Sequence, residues 1–108
     1  MTIFLCEPGY TGILSGIYDA GVSKILEIKN SGQNVELFAV YRECSPSEEK
    51  GKKVLETVRQ RLNSHIQEQL YVASLSEDVL RADKMYRYLK VLFLRGEYDE
   101  IQRTIADP

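Results

Sequence analysis

The first nine residues constrain the fold most, because they join an apolar run directly to a helical pattern. Thr2–Cys6 is a continuous apolar run that stops at Glu7-Pro8-Gly9. A run of this length without polar alternation is typical of a strand that is buried on both faces. The sequence therefore predicts a chain that opens with a covered strand.

A helix is predicted directly after this strand, over residues 9–21. One face would hold the residues that recur at helical spacing, Tyr10, Ile13, Leu14, Ile17, Ala20 and Gly21. The glycines within it lower the intrinsic helix propensity. They also allow the helix to sit close to the strand.

Residues 24–43 have the pattern of a hairpin. Ile25–Lys29 leads into Asn30-Ser31-Gly32-Gln33, a cluster of turn-forming residues. A longer run of alternating residues follows from Val35. We therefore expect two adjacent strands that are joined by this turn.

The remainder of the chain is helical in pattern. Ser45, Pro46 and Glu48 form a capping signature that opens a helix over residues 46–62. Asn63-Ser64 predicts a break before a short helix at 65–75, although one continuous helix over 46–74 is an alternative. A long helix follows at 77–95, ended by Gly96, with a further short helix at 97–106.

These elements predict an α/β domain, with α+β as an alternative. A small sheet of about three strands, near the minimum for a stable sheet, would be covered by helices in the order β-α-β-β-α-α-α. No apolar run approaches the length of about 20 residues that a membrane span needs. The first residues lack the basic start of a signal peptide, so the expected compartment is the cytoplasm.

The helix predicted at 77–95 has two apolar stripes. One wide face holds Val79, Ala82, Met85, Tyr86, Leu89, Leu92 and Phe93. Leu80, Val91 and Leu94 lie roughly opposite, around Arg87. A surface helix needs only one apolar stripe, so we expect the second stripe to contact another element, a protein partner or a second copy of the chain.

The same helix carries the best candidates for nucleic-acid contact: Arg81, Lys84, Arg87 and Tyr88. Residues 76–95 hold five cations and three carboxylates, although the whole chain has 14 Lys and Arg against 16 Asp and Glu. Cations can bind phosphates and tyrosine can stack on a base. The alternative is a solvated helix whose charges pair with one another.

The glycine turn after the first strand is a candidate phosphate site, with Gly9 and Gly12 at the start of a helix. Its spacing matches neither a dinucleotide-binding nor a P-loop motif. The alternative is that these glycines serve the turn and its packing.

We assign no catalytic residues, no metal site and no cofactor. His65 is the only histidine and is expected to have a structural role or to lie near a helix cap. Cys6 and Cys44 have no metal-ligand spacing, and a reducing cytoplasm would keep both as free thiols. A disulfide would require them to end adjacent strands side by side.

Several segments, taken in order, resemble a bacterial family of DNA metabolism and repair proteins whose function is not known. The similar segments are Gly12–Ala20, Leu37-Phe38, Tyr41, Glu48–Val54, Ala73–Ser76 and Tyr86–Leu89. The resemblance spans nearly the whole chain. It departs at Gly21, where the family usually has a large aromatic residue, and before the second hairpin strand, where this chain is shorter.

The resemblance implies a DNA-linked role. Family members are typically encoded beside a radical-SAM protein, and some are joined to a uracil-DNA-glycosylase-like domain. They continue past the equivalent of Asp107-Pro108, so we expect residues 1–108 to be a single N-terminal domain of a longer protein, or a naturally short relative.

We therefore expect a non-catalytic module that binds a protein partner, the radical-SAM protein, with DNA as a further candidate partner. A nucleotide- or base-processing enzyme that uses the glycine turn is one alternative. A self-associating structural domain, with the second stripe as a homodimer contact, is the other.

Overall fold

The computed structural model describes residues 1–21 and 24–106, and it describes side chains as far as Gly96. The elements in this part of the chain are β1 (Thr2–Cys6), α1 (Tyr10–Ala20), β2 (Ile25–Ile28), β3 (Val40–Glu43), α2 (Glu48–Arg61), α3 (Ser64–Ser74) and α4 (Arg81–Ala106). The predicted α/β class and the β-α-β-β-α-α-α order are confirmed.

The sheet is parallel, with β1 between its two neighbours in the order β2-β1-β3. Ile3 is in register with Ile25 on one side and with Tyr41 on the other. The central place of β1 explains its apolar composition, since a middle strand of a parallel sheet is covered on both faces.

The predicted hairpin is wrong, because β2 and β3 lie on opposite sides of β1 and do not pair. The turn itself exists, with positive φ angles of 59° at Asn30 and 85° at Gly32. The Asn34 side chain accepts from the Asn30 N–H at 3.0 Å and donates to the Glu27 carboxylate at 2.8 Å. These bonds direct the chain away from β2 and towards the free edge of β1.

Residues 29–39 cross the sheet face that lies opposite the helices. The Glu36 N–H donates to the Tyr41 hydroxyl at 2.8 Å, and register and alternation place Tyr41 on the same face as Ile3. Leu37 and Phe38, predicted to lie in a strand, are 83% and 89% exposed in this crossing segment.

The helices cover the other face and enclose the core. Cys6, Leu26 and Ile28 contribute to this core from the sheet. The helical contribution comes mainly from α1 and α4, with Ile13, Leu14, Ile17, Ala20, Val58, Ile66, Leu70, Ala82, Met85, Tyr86 and Leu89. The apolar face predicted for the first helix is therefore confirmed from Tyr10 to Ala20, whereas Gly21 follows the helix and is exposed.

The start of α2 differs from the prediction by two residues. Ser47, not Ser45, caps the helix, and its Oγ accepts from the Lys50 N–H at 3.3 Å. The Ser47 N–H in turn donates to the buried Ser15 Oγ at 2.8 Å. This tertiary contact with α1 fixes which serine caps the helix.

The predicted break between α2 and α3 is confirmed, so the alternative of one continuous helix is wrong. Asn63 caps α3, and its side-chain oxygen accepts from the Ile66 N–H at 3.0 Å. The order of capping residues was therefore a correct indication of two helices.

The last helix starts later and continues further than predicted. It begins at Arg81, because Asp78 bonds the Leu80 N–H in a turn at 2.9 Å, and it runs through Gly96 to Ala106. The stop predicted at Gly96 is wrong, since a glycine inside a helix costs only about 1 kcal/mol. Among the helices that the structure describes, none is both long and apolar enough to cross a membrane.

Candidate functional site

Three of the four predicted nucleic-acid residues line one cavity. Arg81, Lys84 and Tyr88 face a space of about 640 Å³ between α3 and the first turns of α4, together with apolar side chains such as Met85. Arg87 is not among the residues that line it. The structure therefore brings together most, but not all, of the predicted set.

Arg81 joins two loops of the protein. Its Nη2 donates to the Pro8 carbonyl at 2.6 Å and its Nη1 to the Asp78 carbonyl at 3.1 Å. Its Nε is buried and has no hydrogen-bond partner in the described part of the chain. The guanidinium thus holds the loop before α1 against the turn before α4.

The Lys84 ammonium pairs with the carboxylate of Asp78. The hydrogen bond from Lys84, and after it the bond from the Leu80 N–H, lowers the pKa of the Asp78 carboxyl. A carboxylate at this position neutralises the positive charge that a phosphate would need.

The other two candidates also have partners within the chain. The Nε of Arg87 lies 3.0 Å from the Asp83 carboxylate, one turn earlier on α4. The Tyr88 hydroxyl donates to the Gln69 side chain at 2.8 Å. These internal bonds favour the alternative interpretation, in which the helix is solvated and its charges pair with one another.

The glycine turn provides close packing between α1 and the end of β1. A Cβ added at Gly12 would lie 2.6 Å from both the Cβ and the carbonyl oxygen of Glu7. Gly9 caps α1 and has open space beside it. The absence of a side chain at Gly12 is thus explained by packing, with no need for a bound phosphate.

The second apolar stripe of α4 is exposed. Leu80, which stands directly before the helix, is 40% exposed, and Val91 and Leu94 are 55% and 66% exposed. They extend over about 21 Å at 1.5 Å per residue. The three residues that we predicted as a partner surface are therefore accessible.

Sequence reasoning missed a groove that lies between α2 and α4, with α1 as its floor. The groove has a volume of about 510 Å³. We call it the α2–α4 groove, and it is lined by Ile17, Tyr18, Gly21, Lys53, Val54, Thr57, Arg61, Tyr86, Leu89, Lys90, Phe93 and Leu94.

Cations lie over aromatic rings throughout this groove. The Lys90 ammonium is 4.6 Å from the centre of the Tyr86 ring, and the Arg61 guanidinium carbon is 5.2 Å from that of Phe93. Lys53 lies 5.9 Å from the Tyr18 ring. Such contacts are worth about 0.5–1 kcal/mol at exposed sites, and they hold the cations beside the aromatic side chains of the groove.

The spacing of Lys53, Thr57 and Arg61 could have indicated one wall of the groove. Residues four apart lie on one face of a helix, and these three repeat that step along α2. The opposite wall comes from α4 through tertiary packing, which the spacing alone does not encode.

Tyr86 fixes the position of α4 beside the groove. It is 1% exposed, its hydroxyl donates to the Gly21 carbonyl at 2.8 Å, and it accepts from the Lys24 N–H at 3.3 Å. The ring therefore attaches α4 to the connection between α1 and β2.

The two cysteines stand side by side at the ends of adjacent strands. The Cys44 N–H donates to the Leu5 carbonyl at 2.8 Å, which continues the register of β1 with β3, and both cysteines are buried free thiols. Burial raises the pKa of Cys6 to about 12 and that of Cys44 to about 11. Thiols with such values are poor nucleophiles at neutral pH.

His65 is cap-proximal, as predicted, and does not lie on an apolar face. It is the second residue of α3, its side chain is 73% exposed, and its Nδ1 lies 3.9 Å from the Glu68 carboxylate. Within the described residues, no group of three or more His, Cys, Asp or Glu side chains could hold a metal ion.

Comparison with family models, curated proteins and solved structures found no match to this chain.

Proposed function

We propose that this chain is a non-catalytic module of a cytoplasmic bacterial DNA metabolism or repair protein, and that it binds a protein partner through α4. The partner suggested by the resemblance is the radical-SAM protein encoded beside members of that family. The observation that carries the proposal is the exposed stripe formed by Leu80, directly before α4, and by Val91 and Leu94 on α4, whose other face is already in the core.

Protein binding is supported better than DNA binding. Arg81, Lys84, Arg87 and Tyr88 all bond to groups of the same chain, so phosphate contacts would have to replace internal ones. DNA therefore enters the proposal as a weaker partner, by way of the family resemblance. At the exposed apolar stripe, a partner would not have to replace internal bonds of this kind with any of the described residues.

The experiment is co-purification with the radical-SAM protein, compared between the native chain and the variant Leu80→Asp/Val91→Asp. These side chains are 40% and 55% exposed, so the variant should fold normally. We expect co-elution of the native chain with the partner and its loss in the variant. Should a variant that folds normally still co-elute with the partner, the assignment of this stripe as the binding surface is wrong.

A titration with single- and double-stranded DNA at low salt accompanies it, because phosphate contacts weaken as salt rises. We expect at most weak binding that disappears at moderate salt. Measurement of the mass in solution separates a homodimer from a monomer, and a dimer that is broken by Leu80→Asp/Val91→Asp would assign the stripe to self-association instead. Absence of both partner and DNA binding would overturn the proposal.

A further inference from the structure

We propose that the α2–α4 groove binds an acidic amphipathic helix of a partner protein. This inference rests on the proposed function, since it names the chemistry of the segment that the module would take. Leu94 belongs to both surfaces, but Leu80 and Val91 do not line the groove, so variants of these two residues and variants of the groove cations test the two surfaces apart.

The floor of the groove suits apolar side chains. Ile17 and Leu89 are buried beneath it, and Val54 and Phe93 are partly buried at its sides. Leu94 at the rim is 66% exposed. A cleft between two helices with an apolar floor is the usual receptor for one face of an amphipathic helix.

The charged side chains that the structure describes on the rim of the groove are all cations. Lys53 and Arg61 lie two turns apart on α2, about 12 Å along the helix, and Lys90 stands on the α4 side. None of the described residues that line the groove is an aspartate or a glutamate. The nearest competing contact of Lys53 is exposed Glu49 at 3.7 Å, and such surface pairs contribute little.

Charge complementarity therefore defines the occupant. A helix that buries its apolar face in the floor would bring the residues flanking that face against cations on both walls. Glutamate or aspartate at these flanking positions would meet Lys53 on the α2 wall and Lys90 on the α4 wall.

The aromatic rings argue for apolar side chains in place of nucleic-acid bases. Base binding needs a free ring face on which to stack. Arg61 and Lys90 lie over the Phe93 and Tyr86 rings, and Tyr86 is 1% exposed. A base would have to displace these cations, whereas an apolar side chain can contact the floor between them.

The test uses a synthetic helical peptide of about 18 residues, about five turns, with leucine along one face and glutamate on both flanks. A matched peptide has glutamine at every glutamate position. We expect saturable binding of the acidic peptide to the full chain by fluorescence anisotropy. We expect the glutamine peptide to bind at least about tenfold more weakly, because the rim charges would have no counterpart.

Charge-reversal variants test whether the peptide binds in the α2–α4 groove. Lys53→Glu/Lys90→Glu should weaken binding of the acidic peptide by at least about tenfold, since it replaces attraction with repulsion. Lys52→Glu is the matched control, because Lys52 is exposed, adjacent in sequence and outside the groove lining; its effect should stay within about twofold. Lys53→Glu alone, at a well-exposed site, is the second variant should the double variant fold poorly.

Three results would overturn the inference: equal binding of the acidic and glutamine peptides, equal effects of Lys53→Glu and Lys52→Glu, or no peptide binding. An oligothymidylate of about 20 nucleotides and vesicles that contain phosphatidylglycerol are tested in parallel. Binding of either one that is lost in Lys53→Glu, without peptide binding, would reassign the groove.

Failure of this inference is distinguishable from failure of the proposed function. Should the acidic peptide not bind, while the radical-SAM protein binds to the native chain but not to Leu80→Asp/Val91→Asp, the groove assignment alone is wrong. Should the acidic peptide bind in the groove while the radical-SAM protein does not bind, the partner in the proposed function is wrong.

Discussion

Replacement of Gly12 by alanine tests how closely α1 packs against the end of β1. The added Cβ would lie 2.6 Å from the Cβ and from the carbonyl oxygen of Glu7, whereas non-bonded carbon atoms normally approach to about 3.5–4.0 Å. One of the two contacts is a backbone atom, which cannot rotate away. The start of α1 would therefore have to move.

Two opposing effects determine how far Gly12→Ala changes the free energy of unfolding. Overpacking of this kind costs about 1–3 kcal/mol. Alanine is about 1 kcal/mol better than glycine inside a helix, and this gain applies because Gly12 lies within α1. Because one of the two 2.6 Å contacts is with a backbone atom, the upper part of the overpacking range applies, and we expect Gly12→Ala to lower the free energy of unfolding by about 1–2 kcal/mol after this offset.

Gly51→Ala is the matched control on α2. A Cβ there would lie 3.6 Å and 3.7 Å from atoms of the Leu14 side chain, which is an ordinary contact. Only the better helix propensity of alanine remains, so the free energy of unfolding of Gly51→Ala should rise by about 1 kcal/mol. The two substitutions are chemically identical and are expected to have opposite signs.

Urea unfolding followed by circular dichroism measures both variants, with thermal melts as a second readout. For a domain of this size, 1 kcal/mol corresponds to about 4–8 °C in Tm. A Gly12→Ala protein as stable as the native chain, beside a stabilised Gly51→Ala protein, would refute the close-packing argument. It would also reopen the phosphate-site interpretation of Gly12.

Two further predictions concern the core. Tyr86→Phe should lower the free energy of unfolding by about 1–3 kcal/mol, because it leaves a carbonyl and an N–H without their partner; an unchanged urea midpoint would contradict the role given to this hydroxyl. The free energy of unfolding should fall as pH rises above 9.0, since the unfolded chain releases thiol protons that folded Cys6 and Cys44 retain at their raised pKa values. A Cys6→Ala/Cys44→Ala protein should lose stability less steeply over this range, and equal slopes would exclude the thiols as a cause.

The sequence predicted those parts of the fold that depend on local pattern. The apolar spacing from Tyr10 to Ala20 defined α1, and Asn63 correctly marked the break before α3. Both depend on helix geometry and capping, which are properties of a few neighbouring residues. The apolar run of β1 likewise indicated a strand covered on both faces.

The errors arose where distant contacts decide between local alternatives. Asn30 and Gly32 do form a turn, but the Asn34 side chain and the free edge of β1 direct the chain into a parallel strand. Ser45 and Ser47 are both able to cap α2, and Ser15 on α1 selects Ser47. Neither choice can be read from local propensity.

The candidate sites also divide into one that local pattern determines and one that distant contacts determine. The exposed stripe on α4 was predicted from periodicity, because an amphipathic helix has a definite angular pattern. The α2–α4 groove was missed, since it needs Lys53 and Arg61 on one helix to face Lys90 and Phe93 on another. The residues on the two helices are far apart in the sequence, and no local pattern links them.

Hydrogen exchange of the chain with and without the purified radical-SAM protein tests the central claim most directly. Exchange of backbone amides reports which segments become protected. We predict protection over residues 80–95 of the α4 region and residues 53–61 of α2, with little change elsewhere. No protection, or protection confined to the exposed crossing segment around Leu37 and Phe38, would contradict the account.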